Sequence, residues 1–410
     1  MKRTLTISLF LLANFVFANT IVVGKNQLIS SLKKGIELAK DGDTVLLQQG
    51  IYKEGNVIIN KSIRLIGINE PVLDGENKYE ILTISGEKIL VKGIHFKNSG
   101  YSSMNDYASV NLVDARYCII ENNIIEHSYF GIHVANSNRC IIAENTILGT
   151  PKTEQTSGNA IHLWKCDSII VESNNVQGHR DGIYFEFVTH SYIYQNHSHN
   201  NIRYGLHFMF SNNDTYIENE FIENGAGVAV MYSNHVLMHS NKFKLNWGPN
   251  SYGLLLKEIS DAQIMDNNFD HNTAGIQMES TNRIEVQSND FTNNGWALRI
   301  SASCNENTVD HNNFSANTFD VATNGTMMLN QFNNNYWDKY DGYDMNRDGI
   351  GDVAYHPVSM YSMVIEQNPN SLLLLRSFMV SLLDKAEKAI PSLTPENLID
   401  EHPLMRRKKL

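Results

Sequence analysis

The sequence predicts an all-β fold, a right-handed parallel β-helix with about 22-residue coils, an N-terminal capping helix and a C-terminal helical tail. Three observations lead to this prediction. An asparagine followed two positions later by an apolar residue recurs, mostly at intervals of 22 or 23 residues. Each interval holds short alternating runs rich in Ile, Val, Phe, Tyr and Thr, which favours strands. A glycine-led strand also recurs, as "GIHVAN", "GIYFEF", "GLHFMF", "GVAVMY", "GLLLKE" and "GIQMES".

The recurring asparagines set the length of one coil. They stand at Asn123, Asn145, Asn174, Asn196, Asn219, Asn241, Asn267, Asn289, Asn312 and Asn330. A period near 22 residues admits leucine-rich repeats and parallel β-helices, and these strands lack a regular leucine frame. Equivalent residues of stacked coils lie about 4.8 Å apart, so the asparagines should bond one another at the bends. Two wider gaps predict loop insertions near 149–157 and 246–251.

The two ends of the chain differ from the repeat. A basic pair and an apolar run ending at Ala18 are typical of a secretory signal peptide. We therefore interpret 1–18 as a signal peptide, 19–337 as the β-helix with its cap, and 338–410 as a C-terminal extension. The signal predicts a periplasmic location.

Two helices are expected at the ends of the solenoid. An amphipathic pattern over about 26–40 predicts a helix that covers the N-terminal end of the core. A strongly apolar pattern over 371–389 predicts a second helix, which either caps the core or docks to a membrane partner. That segment is too short and too charged for a transmembrane span. The final "PLMRRKKL" is expected to be a mobile basic tail.

Charge and cysteine content limit the function classes. The formal net charge is −11, which disfavours nucleic acid as a partner because phosphates would be repelled. Cys118 and Cys140 fall at one inward position of adjacent coils. Stacked side chains with parallel Cβ directions suit a disulfide poorly, so buried thiols are favoured over a disulfide.

Two outward columns carry the chemistry of this chain. Counting from the strand glycine or its alanine equivalent, positions +1 and +3 are apolar and should face the core. Positions +2 and +4 should face solvent. The +2 column is His133, His162, Tyr184, His207, Ala229, Leu255, Gln277 and Arg299, and the +4 column is Ala135, Trp164, Glu186, Met209, Met231, Lys257, Glu279 and Ser301.

Imidazole and thioether groups in these columns suit copper, especially Cu(I), and the surroundings look poor in carboxylates. The candidate copper ligands are His207, Met209, Met231, His162 and His133. The alternative is a docking patch without metal, since exposed Met, Trp and Tyr are enriched at interfaces. Its candidate docking residues are Trp164, Tyr184 and Glu186.

A second metal candidate follows the repeat. Oxygen-bearing side chains alternate along a glycine-bent loop at Asp344, Asn346, Asp348 and Asp352. This pattern suits calcium, although the closing glutamate of an EF-hand is replaced by Tyr355. A turn tied by side-chain hydrogen bonds without metal is the alternative.

A polysaccharide lyase, hydrolase or epimerase is the rival function, because many β-helices process polysaccharides. Such an enzyme needs paired carboxylates, or cationic groups beside them, on one face. The candidates are Arg180, Asp181, Glu186, Lys257, Glu258 and Glu279. They are spread over several coils without a compact dyad, so the sequence favours a non-enzymatic protein.

The motifs "HRDGIYFEFVTHS", "RYGLHFMFSN", "NYWDKYDGYDMNRDGIGD" and "LLLLRSFMVSLLDKAEKAIPSLTPE" resemble those of the NosD family. The resemblance spans essentially the whole mature chain. It implies a periplasmic accessory protein that helps to build the copper–sulfur cluster of nitrous oxide reductase in denitrification. It also implies an ABC transporter, with a membrane subunit and an ATPase, a copper chaperone and the reductase as partners. It implies no catalytic residue, and the chain would be peripheral to the membrane through its partner.

Overall fold

The computed structural model describes residues 18–101, 107–151, 153–325, 329–389 and 398–409. Within them the chain winds into stacked parallel coils, and each coil contributes a short strand to each of three walls. All strand pairs are parallel and join residues of consecutive coils; Tyr184, for example, pairs with His207. The predicted parallel β-helix is therefore confirmed.

Walls 1 and 2 are regular and hold fourteen and thirteen of the described strands. Wall 1 consists of β1 (Thr20–Val23), β2 (Thr44–Leu47), β5 (Arg64–Gly67), β8 (Leu90–Lys92), β11 (Ile119–Glu121), β14 (Ile141–Ala143), β17 (Ile170–Glu172), β20 (Tyr192–Tyr194), β23 (Thr215–Ile217), β26 (Leu237–His239), β29 (Gln263–Met265), β32 (Glu285–Gln287), β35 (Asn305–Asp310) and β38 (Leu329–Asn333). Wall 2 consists of β3 (Ile51–Tyr52), β6 (Val72–Asp74), β9 (His95–Lys97), β12 (Ile124–Glu126), β15 (Thr146–Leu148), β18 (Asn175–Gln177), β21 (His197–His199), β24 (Glu220–Ile222), β27 (Lys242–Lys244), β30 (Asn268–Asp270), β33 (Asp290–Thr292), β36 (Asn313–Ser315) and β39 (Tyr336–Trp337).

Wall 3 holds twelve of the described strands, and several of them are longer than those of the other walls. It consists of β4 (Val57–Ile59), β7 (Leu82–Ile84), β10 (Ala108–Val113), β13 (Phe130–Ala135), β16 (Ile161–Trp164), β19 (Asp181–Glu186), β22 (Tyr204–Met209), β25 (Ala226–Met231), β28 (Leu254–Lys257), β31 (Ala274–Glu279), β34 (Trp296–Ile300) and β37 (Phe319–Thr323). The glycine-led repeat of the sequence forms this wall.

A ladder of buried asparagines bonds coil to coil between walls 1 and 2. The Asn219 amide donates to Asn241 Oδ1 at 3.0 Å, and its oxygen accepts from the Asn196 amide at 3.0 Å. Because each amide also bonds backbone groups, the bend satisfies its own polar atoms inside the core. This is the role that the spacing predicted for these asparagines.

The last member of the ladder differs from the prediction. Asn312 bonds Asn335, whereas Asn330 bonds Asn307 in a separate ladder. The assignment of Asn330 to the ladder was wrong because it rested on the local motif alone. Asn330 lies only 18 residues after Asn312, which is too short for a full coil. The ladder ends at Asp400, whose Oδ2 accepts from the Asn335 amide at 3.0 Å and takes the place of a further asparagine.

A stack of aromatic rings fills the interior behind wall 2. Phe243, Phe269, Phe291 and Phe314 are spaced at 4.6, 4.8 and 4.9 Å between ring centroids and lie within 6° of parallel. Trp337 continues the stack 4.1 Å from Phe314. The sequence placed Phe332 at this point, for the same reason that it misplaced the last asparagine.

The N-terminal cap is shorter than predicted. Helix α1 spans Leu32–Leu38 within the predicted range of 26–40 and follows β1. Ser31 caps it by accepting a hydrogen bond from the amide of Lys34. The buried side chains of Leu32 and Ile36 close the end of the core. The predicted signal peptide lies outside the described residues, apart from Ala18.

The predicted helix over 371–389 is two separate elements. Pro369–Leu374 forms a 3₁₀ helix, and α3 spans Phe378–Ala389. Arg376 between them has a φ of 67°, which ends a helix because an L-residue pays a steric cost there. A further helix, α2, spans Met360–Gln367.

The basic end of the chain packs on the solenoid instead of extending from it. The amide of Lys408 donates to Asn313 Oδ1 at 3.0 Å, and Arg407 pairs with Asp290. The expectation of a mobile tail is therefore wrong for the described residues. The four cysteines are buried free thiols, with Cys118 and Cys140 in adjacent coils as predicted.

Candidate functional site

The two outward columns have the predicted register. On wall 3, Tyr184 pairs with His162 on one side and His207 on the other. In the second column Met209 pairs with Met231. The structure thus places the candidate copper ligands in neighbouring rows of one surface.

The imidazole column is more buried than expected. His133, Tyr184 and His207 expose only 9%, 9% and 6% of their surface, although they point away from the solenoid core. Phe130 and Tyr204 cover them, with ring centroids 5.3 Å from His162 and 4.8 Å from His207 respectively. The prediction that these imidazoles face water is therefore wrong.

The cause is a break in the strand alternation at the glycines. Phe130 and Tyr204 stand just before Gly131 and Gly205, where strict alternation would turn them toward the core. Both rings instead contact the outward column. They form a second layer on the outer face of wall 3 and shield the imidazoles from solvent.

The covered rings form a continuous row. The centroid distances are 5.0 Å from His133 to His162, 4.7 Å from His162 to Tyr184, and 4.8 Å from Tyr184 to His207. All three pairs are edge-to-face, a favourable arrangement for aromatic rings. The row extends over four coils and joins its neighbours through ring contacts.

A buried carboxylate ends this row. Asp181 has no exposed surface, and its Oδ1 accepts from Arg203 Nε at 2.9 Å. Its Oδ2 lies 3.7 Å from His207 Nδ1. Burial alone would raise the pKa of Asp181, but the neighbouring His207 and the hydrogen bonds from Arg203 outweigh it and hold that pKa below its usual range.

Two imidazoles in the row hold unpartnered nitrogens. Within the described residues, both nitrogens of His162 and the Nε2 of His207 are buried without a hydrogen-bond partner. Burial lowers the pKa of His162 to about 3, so this ring is neutral at ordinary pH. A neutral imidazole with a lone pair and no hydrogen bond is ready to bind a metal ion.

Asp181 and Arg203 both lie beside Nδ1 of His207. Arg203 Nη2 donates to Nδ1 at 3.2 Å, whereas Asp181 Oδ2 is 3.7 Å away, too far for a hydrogen bond. Because a guanidinium only donates, Nδ1 accepts, and the proton of a neutral ring lies on the unpartnered Nε2. The expectation of carboxylate-poor surroundings is wrong at this point.

The thioethers lie beside the covered row and are more accessible. Met209 and Met231 are partly exposed, and the hydroxyl of Tyr184 lies 3.6 Å from Met209 Sδ. This contact links the phenol in the first column to the sulfur in the second. Soft sulfur therefore contacts the covered row at Tyr184, at one edge of wall 3.

The predicted docking residues separate into two groups. Trp164 and Glu186 are partly exposed, and Lys165 Nζ lies 4.3 Å above the Trp164 ring. Tyr184 is buried, so it belongs to the covered row and offers little surface to a partner.

An exposed aromatic stripe borders the thioethers. Phe187, Phe210 and Tyr232 stack at 5.2 and 4.9 Å and expose 45%, 39% and 38% of their surface. All three have positive φ, which is unusual for bulky residues. The stripe follows immediately on the second column, and sequence reasoning did not single it out.

The C-terminal helices pack on the same wall. Phe319 of β37 joins Tyr361 of α2 and Val380 of α3 in one apolar cluster. Arg299 holds α2 through Glu366, with nitrogen–oxygen distances of 3.1 and 3.0 Å. Wall 3 therefore carries both the covered row and the helices.

The candidate calcium loop is closed by its own hydrogen bonds. Asp344 accepts from the backbone amides of Arg347 and Gly349, and Asp352 accepts from that of Met345. The side chains of Asn346 and Asp348 bond each other at 2.9 Å. These bonds match the hydrogen-bonded turn that was the alternative, and calcium binding by Asp344, Asn346, Asp348 and Asp352 stays a prediction.

The candidates for a polysaccharide enzyme do not converge. Asp181 is buried under Arg203, while Lys257 and Glu279 pair on the surface at 3.8 Å several coils away. The described part of the chain also groups no three His, Cys, Asp or Glu side chains as a metal site.

Sequence reasoning missed the role of Asp181 and Arg203 beside His207. A signal was present, because Arg180 and Arg203 stand two positions before Gly182 and Gly205 in consecutive coils. Repetition of a charged residue so close to the strand pointed to a shared partner.

No helix within the described residues is long and apolar enough to cross a membrane.

Three comparisons relate the chain to known proteins. A family model described as "Periplasmic copper-binding protein (NosD)" matches residues 149–342. A solved structure of the catalytic unit of a GH87 α-1,3-glucanase from Streptomyces thermodiastaticus has a TM-score of 0.56 at 13% identity, covering 75% of this chain and 62% of that one. That likeness shows the fold alone.

Two curated relatives match nearly the whole length. Each is described as a "Probable ABC transporter binding protein NosD", so both are named as binding proteins. The one from Pseudomonas aeruginosa is 28% identical, covering 91% of this chain and 90% of its own, and the one from Stutzerimonas stutzeri is 27% identical, covering 88% and 86%. Together with the family model, these relatives confirm the resemblance to the NosD family that the motifs of the sequence predicted.

Proposed function

We propose that this chain is a non-enzymatic periplasmic scaffold that receives copper, or a copper-carrying chaperone, beside an ABC transporter. The copper would be used to assemble the copper–sulfur cluster of nitrous oxide reductase. The matching family is described as copper-binding and the relatives as ABC transporter binding proteins. Copper is a cargo in this proposal.

One observation carries the proposal, namely the register that places Met231 beside Met209, two residues after His207 on β22 of wall 3. Two thioethers and an imidazole form a ligand set that suits Cu(I). Arg203 orients the His207 ring by donating to Nδ1 at 3.2 Å, so metal binding at Nε2 requires the tautomer with the proton on Nδ1. Partial exposure of both sulfurs gives the metal a path from solvent.

The exposed aromatic stripe supports docking of a chaperone next to these sulfurs. Phe187, Phe210 and Tyr232 form one continuous apolar surface, and Trp164 and Glu186 lie in the column beside it. Aromatic residues with a polar rim are typical of interface centres. A chaperone bound there would release copper directly onto Met209.

The C-terminal helices support docking to the transporter. Leu373 and Phe378 expose 90% and 83% of their surface, and Met379 and Leu382 are also exposed. Apolar surface of this kind favours a membrane-associated partner. Because the helices lie on wall 3, movement of the transporter could change access to the sulfurs and make them available to the reductase.

The proposal is tested by the double variant Met209→Leu, Met231→Leu, which keeps apolar volume and removes the sulfurs. Competition with a chromophoric Cu(I) chelator under reducing conditions should show at least a tenfold loss of Cu(I) affinity, about 1.4 kcal/mol. Met265→Leu on wall 1 is the matched control, since Met265 is also a partly exposed outward methionine.

Cluster assembly supplies the second readout. A strain carrying His207→Ala, Met209→Ala and Met231→Ala should accumulate nitrous oxide reductase without its copper–sulfur cluster. If both copper capture and cluster assembly stay normal in these variants, wall 3 is not the transfer site.

A further inference from the structure

The bend between walls 3 and 1 carries a cavity that is separate from the outer columns of wall 3. Its volume is about 310 Å³, and it is lined by Arg116, Tyr117, Asn138, Arg139 and Asp167. Arg116 pairs with Asn138, and Asn138 pairs with Asp167, so the lining comes from three consecutive coils. The register of the solenoid therefore brings two arginines together at the surface.

Arg139 lacks the acidic partner that an equivalent arginine of this bend has. Arg283 holds the same position in a later coil, and its guanidinium bonds Asp261 of the preceding coil at 2.6 and 2.8 Å. In the coil before Arg139, that place belongs to Tyr117. The guanidinium carbon of Arg139 lies 5.6 Å from the Tyr117 ring centroid, and Nη1 donates to the Tyr117 hydroxyl. Tyr117 thus holds the guanidinium in place without neutralising its charge.

Two more groups bring hydrogen-bond donors to the cavity. Arg116 Nη1 lies 3.8 Å from Glu87 Oε1, which is too long for a hydrogen bond, so the N–H groups of Arg116 are available to a ligand. The Tyr117 oxygen accepts from Arg139, which leaves the phenolic O–H to donate. Guanidinium donors match the oxygens of tetrahedral oxyanions, and their charge strengthens the bonds.

A carboxylate also lines the cavity and limits which anion fits. Asp167 Oδ2 accepts from Thr189 Oγ1 and His190 Nδ1, each at 2.9 Å. Its Oδ1 accepts from Ser168 at 2.8 Å. Partial burial alone would raise the pKa of Asp167, but these hydrogen bonds outweigh it and hold that pKa below its usual range. The carboxylate is therefore ionised near pH 7, and Oδ1 keeps a lone pair for one further donor.

We propose that this cavity binds one inorganic phosphate ion, with Arg116 and Arg139 donating to its oxygens and Asp167 accepting from its P–OH group. At neutral pH inorganic phosphate keeps a P–OH, whereas sulfate has none and would set a lone pair against the carboxylate. A phosphate monoester loses its P–OH above a second pKa of about 6. The cavity should therefore select inorganic phosphate over both. The site does not depend on the proposed function.

The experiment titrates the whole protein with inorganic phosphate, sulfate and methyl phosphate by isothermal titration calorimetry. It is done at about pH 7.5, where the monoester has lost its P–OH, and at one ionic strength, because salt screens exposed charges. Phosphate should bind at least about fivefold more tightly than either competitor. Arg116→Gln and Arg139→Gln should each weaken phosphate binding by about fivefold or more, since each removes charge-assisted donors.

Two variants separate this site from general attraction of anions. Arg283→Gln is the matched control, because Arg283 occupies the same bend position but is already paired with Asp261, and it should leave phosphate affinity unchanged. Asp167→Asn supplies a donor in place of the ionised acceptor, so its sulfate affinity should rise to within about twofold of its phosphate affinity.

Three results would overturn the assignment. These are no binding of phosphate, equal affinity of the wild type for phosphate and sulfate, and unchanged phosphate affinity in the double variant Arg116→Gln, Arg139→Gln. Both arginines lie on the surface, so this double variant should fold normally, and circular dichroism would verify it.

Discussion

The bends of the solenoid and the outer face of wall 3 share one coil-to-coil register but carry different kinds of side chain. At the bend, coil after coil presents asparagine, and Asn196, Asn219 and Asn241 make the same bonds. On wall 3, the equivalent residues of successive coils are His162, Tyr184 and His207. The asparagine column is uniform, whereas the wall 3 column mixes histidine and tyrosine.

The difference separates stability from chemistry. A uniform column lets each side chain bond its copy in the next coil, so all coils contribute similarly to folding. A varied column cannot repeat one bond, and its members meet as unlike groups. On wall 3 this brings imidazole, phenol, thioether and carboxylate together within a few coils.

The largest effect is expected from breaking the uniform column with Asn219→Ala. The amide of Asn219 donates to Ile193 O, Ile217 O and Asn241 Oδ1, and its oxygen accepts from Asn196. Several buried groups would lose their partners at roughly 1–3 kcal/mol each, so the free energy of unfolding should fall by about 5 kcal/mol. Urea denaturation followed by circular dichroism measures this.

Asn268→Ala is the matched control, because Asn268 is a partly exposed, outward asparagine of β30. It should change the free energy of unfolding by less than about 0.5 kcal/mol. Similar losses in both variants would mean that the ladder has no special role in stability.

The second effect tests the charged end of the varied column. Arg203→Met removes the hydrogen-bonding guanidinium from the buried Asp181 carboxylate and leaves only Arg180 Nε at 3.6 Å, so the free energy of unfolding should fall by about 3 kcal/mol at pH 7. The double variant Arg203→Met, Asp181→Asn should regain most of this loss, because the fully buried carboxylate is gone and the Arg180 left without it is partly exposed.

The pH dependence of this pair has a definite sign. The pKa of Asp181 is lower in the folded state than in the unfolded state. The contribution of Asp181 to the free energy of unfolding is therefore complete above its pKa in the unfolded state, near 4. This contribution is lost as pH falls through the pKa of Asp181 in the folded state. If wild type and Asp181→Asn differed equally at pH 7 and pH 2, the carboxylate would not be held by its charge.

The same contrast explains what the sequence could predict. The period fixes register, so the neighbours of His207 and Met209 in both columns were predicted correctly. The layer over the imidazoles was not predicted, since alternation assigns Phe130 and Tyr204 to the core. Only the geometry at the glycines turns these two rings outward.

The ends of the chain were harder to predict, because they leave the repeat. Asn330 satisfied the local motif, yet Asn335 completes the coil. Asp400 closes the ladder from 65 residues away in sequence, and no spacing argument reaches that far. The helix break at Arg376 likewise depends on how the C-terminal segment packs on wall 3.

The third effect concerns a buried carboxylate in the core that has no charged partner in the described part of the chain. Asp214 is buried, its Oδ1 accepts from the amide of Ser191 at 2.7 Å, and its Oδ2 has no partner within the described residues. Burial raises the pKa of Asp214 to about 8. The folded state thus holds a proton that the unfolded state releases above about pH 4, and stability falls as pH rises between these values.

Asp214→Asn should remove that pH dependence. An amide keeps the bond from Ser191 without a titratable group, so the variant should be more stable than wild type by at least about 2 and up to about 5 kcal/mol at pH 9, and nearly equal to it at pH 4. Thermal unfolding across this pH range measures the difference. Equal slopes for the two proteins would show that Asp214 keeps an ordinary pKa.

The smallest effect tests the link between the two outer columns through Tyr184→Phe. The variant loses only the hydroxyl, which lies 3.6 Å from Met209 Sδ, so the free energy of unfolding should change by less than about 1 kcal/mol. Cu(I) affinity should rise about threefold, since the sulfur no longer shares electron density with a hydroxyl donor before binding the metal. Tyr252→Phe, which removes a hydroxyl 3.4 Å from that of Tyr204, is the control and should leave Cu(I) affinity unchanged. A fall in affinity for Tyr184→Phe would instead mean that the phenol helps to hold the metal, and the covered row would then be part of the ligand set.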